Sequence, residues 1–178
     1  MSFDLESSLK KWAEQVLGGI GLSKARIPNF EELQEKVIRN LRETYSDEVI
    51  SHFLNPRNLG SPPGPDGFAK VTGSCGDSLE IYLKVEDGRI ASAAFRTDGC
   101  IATIASGSMV TTMVRGKTIA EVQQVSSDDI LQALGGLPQE SVHCAVLAAD
   151  TLREALKDYL ERHQPLEPDE GLLSNTRR

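Results

Sequence analysis

Residues 101–114, which read "IATIASGSMVTTMV", form a long stretch without one charged side chain. Small residues recur within it, among them Ala102, Ala105 and Gly107. A helix that is apolar on every side must be buried, because it has no polar face to turn toward water. Small side chains also allow neighbouring elements to approach such a helix closely. The stretch therefore predicts a helix that lies inside the fold.

Three segments ahead of this stretch predict β-strands. Residues 68–74, 78–85 and 89–97 alternate apolar and polar side chains or consist of β-forming residues. The last two are separated by "EDG", a strong signal for a hairpin. Before them, residues 55–67 contain four prolines and three glycines, which favour a loop. We expect an α+β fold in which a small three-stranded antiparallel sheet packs against helices.

Apolar residues at three- and four-residue steps predict further helices on both sides of the strands. Near the start of the chain two such stripes comprise Leu5, Leu9, Trp12, Ala13 and Val16, then Phe30, Leu33, Val37 and Leu41. A stripe near the end comprises Val142, Val146, Ala149, Leu152, Leu156 and Tyr159. We divide the chain into a helical extension, residues 1–43, a body, residues 44–163, and a loose tail, residues 164–178. The extension either packs on the body or serves as a docking or dimerisation arm.

Charge and composition exclude some classes of function. The chain has 178 residues, with 19 basic and 26 acidic side chains, a formal charge of −7 and a pI near 5.0. An acidic protein offers no obvious surface for phosphate backbones, so we expect no nucleic-acid partner. The sequence shows no secretory leader and no apolar stretch of the roughly 20 residues that cross a bilayer, so we expect a cytoplasmic protein without membrane contact.

The three cysteines, Cys75, Cys100 and Cys144, each lie at the predicted boundary of an element. Asp77 follows the first, and His143 precedes the third. Cys100 and Cys144 fall at helix starts, where the helix dipole favours thiolate. The set could converge on one soft metal centre, or the cysteines could be small buried apolar residues. The other two histidines, His52 and His163, lie in polar helical stretches and are predicted to be solvated.

The sequence motifs around the cysteines are more specific than the spacing between the cysteines. The segments "YSDEVISHFLNPRNLG", "SCGDSLEIYLKV", "AAFRTDGCIATIASGSMVTTMVRGKT" and "SVHCAVLAADTLREALKDYLE" occur in this order between residues 45 and 161. Together they strongly resemble the iron–sulfur cluster assembly scaffold family, of the IscU and NifU amino-terminal type. Cys-Gly-Asp, Gly-Cys before a small-residue helix, and His-Cys are the motifs that carry the resemblance.

The resemblance implies a site and a function. Cys75, Cys100 and Cys144 would be thiolate ligands, with Asp77 and His143 as nearby oxygen and nitrogen ligands or exchange partners. The implied cargo is a transient 2Fe–2S cluster, built from ferrous iron, electrons from a donor, and persulfide sulfur from a cysteine desulfurase, then passed to acceptor apo-proteins. We interpret Cys144 as the sulfur acceptor. Zinc could occupy the cluster-free site.

A related subgroup supplies the alternative function, a zinc-dependent persulfide sulfurtransferase that relays sulfur from a cysteine desulfurase. This chain resembles that subgroup less, because the subgroup lacks the His-Cys pair. Compared with the scaffold family, the extension before Tyr45 is additional, and no cysteine-rich segment follows Arg162, so we expect a stand-alone scaffold domain. Many scaffolds carry Leu-Pro-Pro-Val-Lys before Ile-His-Cys, a loop recognised by a specialised chaperone. Here the loop reads "LPQES", which predicts weak or no chaperone binding.

Overall fold

A computed structural model describes residues 30–163 of the chain, and the side chains of residues 35–163. The predicted first helix, residues 5–16, and the predicted tail, residues 164–178, lie outside the described residues. Over the part that is described, no helix is both long and apolar enough to cross a membrane.

The sheet has three antiparallel strands in the order β1, β2, β3, as predicted. They are β1, Gly67–Thr72, β2, Ser78–Glu86, and β3, Arg89–Thr97. Strands β2 and β3 are joined by a two-residue turn, in which Asp87 and Gly88 have φ of +50° and +71°. Two successive positive φ values are typical of the type I′ turn, whose twist matches that of paired strands. The predicted α+β fold with a three-stranded sheet is confirmed.

Six α-helices accompany the sheet in the described residues. They are α1, Phe30–Thr44; α2, Asp47–Leu54; α3, Ile101–Val114; α4, Ile119–Val122; α5, Ser127–Ala133; and α6, Val142–Arg162, which follows a 3₁₀ turn, Gln139–Ser141. The proline- and glycine-rich segment between α2 and β1, residues 55–66, contains no helix or strand, which agrees with the predicted loop.

The charge-free helix α3 is buried, as its composition predicts. Its side chains form one apolar core with the inner faces of the strands, where Leu79, Ile81 and Phe95 are fully buried, and with the inner face of α6. A Cβ atom added to Gly107 would come within 2.6 Å of the Phe95 ring. Gly107 therefore allows α3 to lie directly against the sheet.

Helices α1 and α2 form a smaller apolar cluster, centred on Ile38, Ile50 and Leu54. The stripe predicted for α1 is wrong at Val37, which is 45% exposed, whereas the adjacent Ile38 is buried. On α6, Val146 is likewise exposed although it fits the predicted apolar spacing. In both helices the stripe is wider than the face that the neighbouring elements cover.

The prediction that His52 is solvated is wrong. His52 is 1% exposed and lies between α2 and α3. The guanidinium of Arg57 donates to its Nε2, and its Nδ1 lies 2.7 Å from Ser108 Oγ. A guanidinium can only donate, so Nε2 of His52 is the acceptor. In a neutral imidazole the other nitrogen, Nδ1, then carries the proton and donates to Ser108. Burial, with a further contribution from Arg57, lowers the pKa of His52 to about 4, so the ring is neutral. His163 is exposed, as predicted.

Candidate metal centre

The turn between β1 and β2 carries the first two residues of the predicted site. The amide of Gly73 donates to the carbonyl of Asp77 at 2.9 Å, and Gly76 has φ of +91°, a conformation that glycine adopts without strain. This tight turn exposes Cys75 at its tip. It also directs the carboxylate of Asp77 toward the start of α3.

The start of α3 carries the second cysteine. Cys100 is the residue that caps α3, one position before the first turn in which the sequence placed it, and its side chain makes no capping hydrogen bond. The carboxylate of Asp77 takes that role, because its Oδ2 accepts from the Cys100 amide at 3.0 Å. Hydrogen bonds from Thr103 and from the Cys100 amide lower the pKa of Asp77. A negative group at a helix N-terminus is also favoured by the helix dipole.

Gly99 allows this close approach between the turn and the helix. A Cβ atom on Gly99 would lie 2.6 Å from Asp77 Oδ2 and 2.7 Å from the Cβ of Thr103. Both distances are shorter than real Cβ contacts allow, so any side chain here would displace the carboxylate or the helix. The glycine of the Gly-Cys motif is therefore a geometric requirement of the site.

The start of α6 carries the third cysteine. Cys144 is the third residue of α6, as predicted, and it is fully buried. The Nε2 of the adjacent His143 lies 3.6 Å from its Sγ. The prediction that the start of this helix makes Cys144 a thiolate is wrong for the protein without a bound cation. Burial raises the pKa of Cys144 to about 12 and outweighs the hydrogen bond from Thr103, which lowers it. A bound cation is the charge that would favour thiolate here.

Three of the five predicted ligands converge. One ligand atom each of Asp77, Cys100 and Cys144 lie within 4.8 Å of one another, and the two sulfur atoms are 3.9 Å apart. In a tetrahedral zinc site, bond lengths of about 2.0–2.3 Å place ligand atoms roughly 3.5 Å apart. The donor set of two sulfurs and one oxygen thus fits a soft cation if the three ligand atoms move slightly closer together. Cys75 and His143 flank this group but are not part of it.

A sequence model described as the NifU-like N terminal domain matches residues 44–165, which is more than half of the chain. The chain belongs to the NifU-like N-terminal domain family. The three cysteines and Asp77, which lie in the turn between β1 and β2, at the start of α3 and in the first turn of α6, all fall inside the matched range.

Curated relatives of this NifU-like domain carry scaffold names. The chain is 48% identical over 120 residues to the iron–sulfur cluster assembly scaffold protein IscU 1 of Archaeoglobus fulgidus, covering 67% of this chain and 78% of the relative. It is 41% identical over 125 residues to IscU of Escherichia coli strain K12, covering 67% and 97%. A crystal structure of a nitrogen-fixing NifU-like protein (N-terminal) from Brucella abortus has the same fold, with a TM-score of 0.56 at 21% identity, covering 68% and 98%.

The NifU-like domain also places two residues at the site that the motifs do not single out. Thr103 is buried between the converging ligands, and its spacing of three from Cys100 is the one sequence signal that puts it on the same helix face. Tyr45, between α1 and α2, is the other. Burial raises its pKa, and Cys100 and Cys144 are among the neighbouring groups that add to this rise. Nothing in the local sequence around Tyr45 indicates this position.

Proposed function

We propose that this chain is a scaffold on which an iron–sulfur cluster is assembled and from which it is transferred to acceptor proteins. The observation that carries the proposal is the convergence of Asp77, Cys100 and Cys144 at the ends of three different elements. Relatives at 48% and 41% identity are named as scaffolds of this kind, which supports the same role here.

The donor set suits a cargo that must leave. Thiolates bind iron–sulfur clusters firmly, whereas a carboxylate is a harder ligand and a weaker partner for a soft centre. Asp77 therefore supplies a position at which an acceptor's thiol can replace an oxygen ligand. Cys75, exposed on its turn, and His143, next to Cys144, are the further ligands in our proposal.

The finer chemistry of the proposal concerns sulfur delivery. The cargo is a 2Fe–2S cluster made from ferrous iron and from the persulfide of a cysteine desulfurase, with electrons from a separate donor. Cys144 is the sulfur acceptor: once uncovered, its thiol loses its proton to water, the thiolate attacks the outer sulfur of the donor persulfide, the S–S bond breaks, and the donor's thiolate leaves. Because Cys144 is buried while Cys75 and Cys100 are exposed, delivery requires a movement that uncovers the Cys144 sulfur.

The zinc-dependent sulfurtransferase is not favoured, since the curated relatives at 48% and 41% identity are named as assembly scaffolds. Zinc fits the same donor set, so a zinc-bound form is part of the proposal as a cluster-free form. Residues 44–163 are the proposed scaffold domain, and residues 1–43 are the proposed helical extension, which either packs on the body or serves as a docking or dimerisation arm.

Anaerobic reconstitution with ferrous iron, cysteine and a cysteine desulfurase tests the proposal. The parent protein should gain the visible absorption of a 2Fe–2S cluster and bind iron stoichiometrically. Replacing Cys75, Cys100 or Cys144 with Ser should abolish or greatly weaken assembly, because an alkoxide is a poor substitute for thiolate. A colourless parent that retains zinc and turns over persulfide rapidly would favour the relay instead. Full assembly in one of the serine variants would remove that cysteine from the site.

A further inference from the structure

Thr103 contacts all three converging ligands. Its side chain is completely buried on the first turns of α3. Its Oγ1 lies 2.6 Å from Asp77 Oδ2, 3.3 Å from Cys144 Sγ and 3.5 Å from Cys100 Sγ. A single hydroxyl group on the inner side of the site thus touches the carboxylate and both sulfurs.

The hydrogen-bonding capacity of a hydroxyl group assigns these contacts. A threonine hydroxyl has one proton to donate and two lone pairs that accept. The contact of 2.6 Å to a carboxylate, which can only accept, takes the proton. Cys144 Sγ, at 3.3 Å, is a second and weaker acceptor for the same proton, and a lone pair of the hydroxyl is left to accept from the Cys100 thiol at 3.5 Å. The hydroxyl therefore bridges the three ligands.

Other buried threonines of this fold behave differently. The hydroxyl of Thr111 donates to the carbonyl of Gly107 at 2.8 Å, and that of Thr151 donates to the carbonyl of Leu147 at 2.7 Å. Bonding back to the preceding turn is the ordinary arrangement for a threonine inside a helix. The hydroxyl of Thr103 instead reaches across to the turn between β1 and β2. Packing within α3 does not require that direction.

We infer that Thr103 is a positioning residue that holds Asp77, Cys100 and Cys144 in their converged arrangement and thereby sets the affinity of the site for a cation. The inference rests on the proposed function, because it assigns these three residues as ligands. Hydrogen-bonding partners of metal ligands, when removed, typically cost about 10- to 100-fold in metal affinity. Thr103 should have an effect of this size although it is not itself a ligand.

Titration of the chelator-treated full-length protein with Co²⁺ under anaerobic conditions tests the inference. Thiolate-to-cobalt charge-transfer absorption reports both the affinity and the ligand set. Thr103→Val removes the hydroxyl but keeps the branched shape, and we expect Co²⁺ affinity to fall about 10- to 100-fold. Thr103→Ser keeps the hydroxyl and should restore an affinity close to that of the parent. Thr151→Val, which removes a buried hydroxyl far from the ligands, is the matched control and should leave the affinity unchanged.

A second readout does not depend on metal. Without Co²⁺, Thr103→Val loses the contact that links the Asp77 turn to Cys144, so iodoacetamide should reach the buried Cys144 sulfur faster, whereas Thr103→Ser should keep the parent rate. Peptide mass spectrometry distinguishes Cys144 from the exposed Cys75 and Cys100. Circular dichroism confirms that each variant is folded, and Thr103→Ala replaces the valine variant if the latter does not fold.

The outcomes separate the two proposals. A parent that neither binds Co²⁺ nor assembles a cluster would contradict the proposed function. A parent that binds Co²⁺ while a folded Thr103→Val binds it equally well would overturn the role of Thr103 alone. Equal losses in the valine and serine variants would also overturn it, because the hydroxyl would then not be the group responsible.

Discussion

The buried His52 predicts a specific loss of stability in mild acid. Its pKa is about 4 in the folded protein and near 6.5 in the unfolded chain. Between these values the unfolded chain binds a proton that the folded protein does not. The free energy of unfolding therefore falls as the pH falls through this window. From about pH 7.5 to about pH 5 this one group should cost about 2 kcal/mol.

The assay is urea unfolding of the chelator-treated, reduced protein at several pH values between these limits. Among the residues that the structure describes, five carboxyl groups have a lowered pKa in the folded protein. Their contribution to the free energy of unfolding is lost only at lower pH, as the pH falls through their folded-state pKa. They are Asp66, Asp77, Glu80, Glu121 and Asp129. The chosen window therefore separates the effect of His52 from the effects of these carboxyl groups.

His52→Asn supplies the comparison, because its amide can still donate to Ser108 but cannot titrate. The variant should be less stable at neutral pH and should lack most of the decline toward pH 5. His163→Asn, at an exposed position, is the matched control and should keep the decline of the parent. The reasoning would be refuted if His52→Asn declined as steeply as the parent, or if the parent showed no decline.

Three further predictions concern transfer, the arm and the chaperone. Asp77→Ala should slow cluster transfer to an acceptor, measured by circular dichroism, because it removes the exchangeable oxygen ligand. A chain starting at Glu43 should still assemble a cluster, but the loss of Ile38 from its contact with Ile50 and Leu54 should lower the free energy of unfolding by about 2 kcal/mol. In calorimetry, a "GGLPQESVHC" peptide should bind the specialised chaperone at least about tenfold more weakly than its Val-Lys counterpart, since Glu140 replaces an apolar anchor.

Each of these has a result that would count against it. A transfer rate for Asp77→Ala equal to that of the parent would remove Asp77 from the exchange route. Loss of all assembly in a folded chain starting at Glu43 would give the arm a part in the chemistry. Equal affinities of the two peptides would show that the chaperone does not read these positions.

Local signals in the sequence predicted most of the framework. The strands, the "EDG" hairpin, the buried α3 and the helix start before Cys144 depend on alternation, turn residues and composition, which are local properties. The placement of each cysteine at the end of an element follows from the same signals. Predicting that Asp77, Cys100 and Cys144 meet needed the family resemblance, because spacing along the chain does not determine distance in the fold.

The wrong predictions share a physical cause. His52 and Val37 were assigned from the character of their own helices, whereas their burial depends on which face the neighbouring element covers. The ionisation of Cys144 was assigned from the helix start, but burial has the larger effect on its pKa. Thr103 was missed because its hydroxyl acts across two elements: its spacing of three from Cys100 places it on the same helix face but does not indicate its contact with Asp77.

The chain order of the converging ligands has a consequence for protein synthesis. The ribosome produces the turn with Asp77 and the start of α3 before it produces α6. The close pair of sulfurs, Cys100 and Cys144, cannot form until α6 has emerged and docked on the sheet. A nascent chain that ends before α6 therefore lacks the paired sulfurs of the candidate metal centre. In the proposed scaffold, metal binding at this pair is in this way tied to the synthesis and docking of α6.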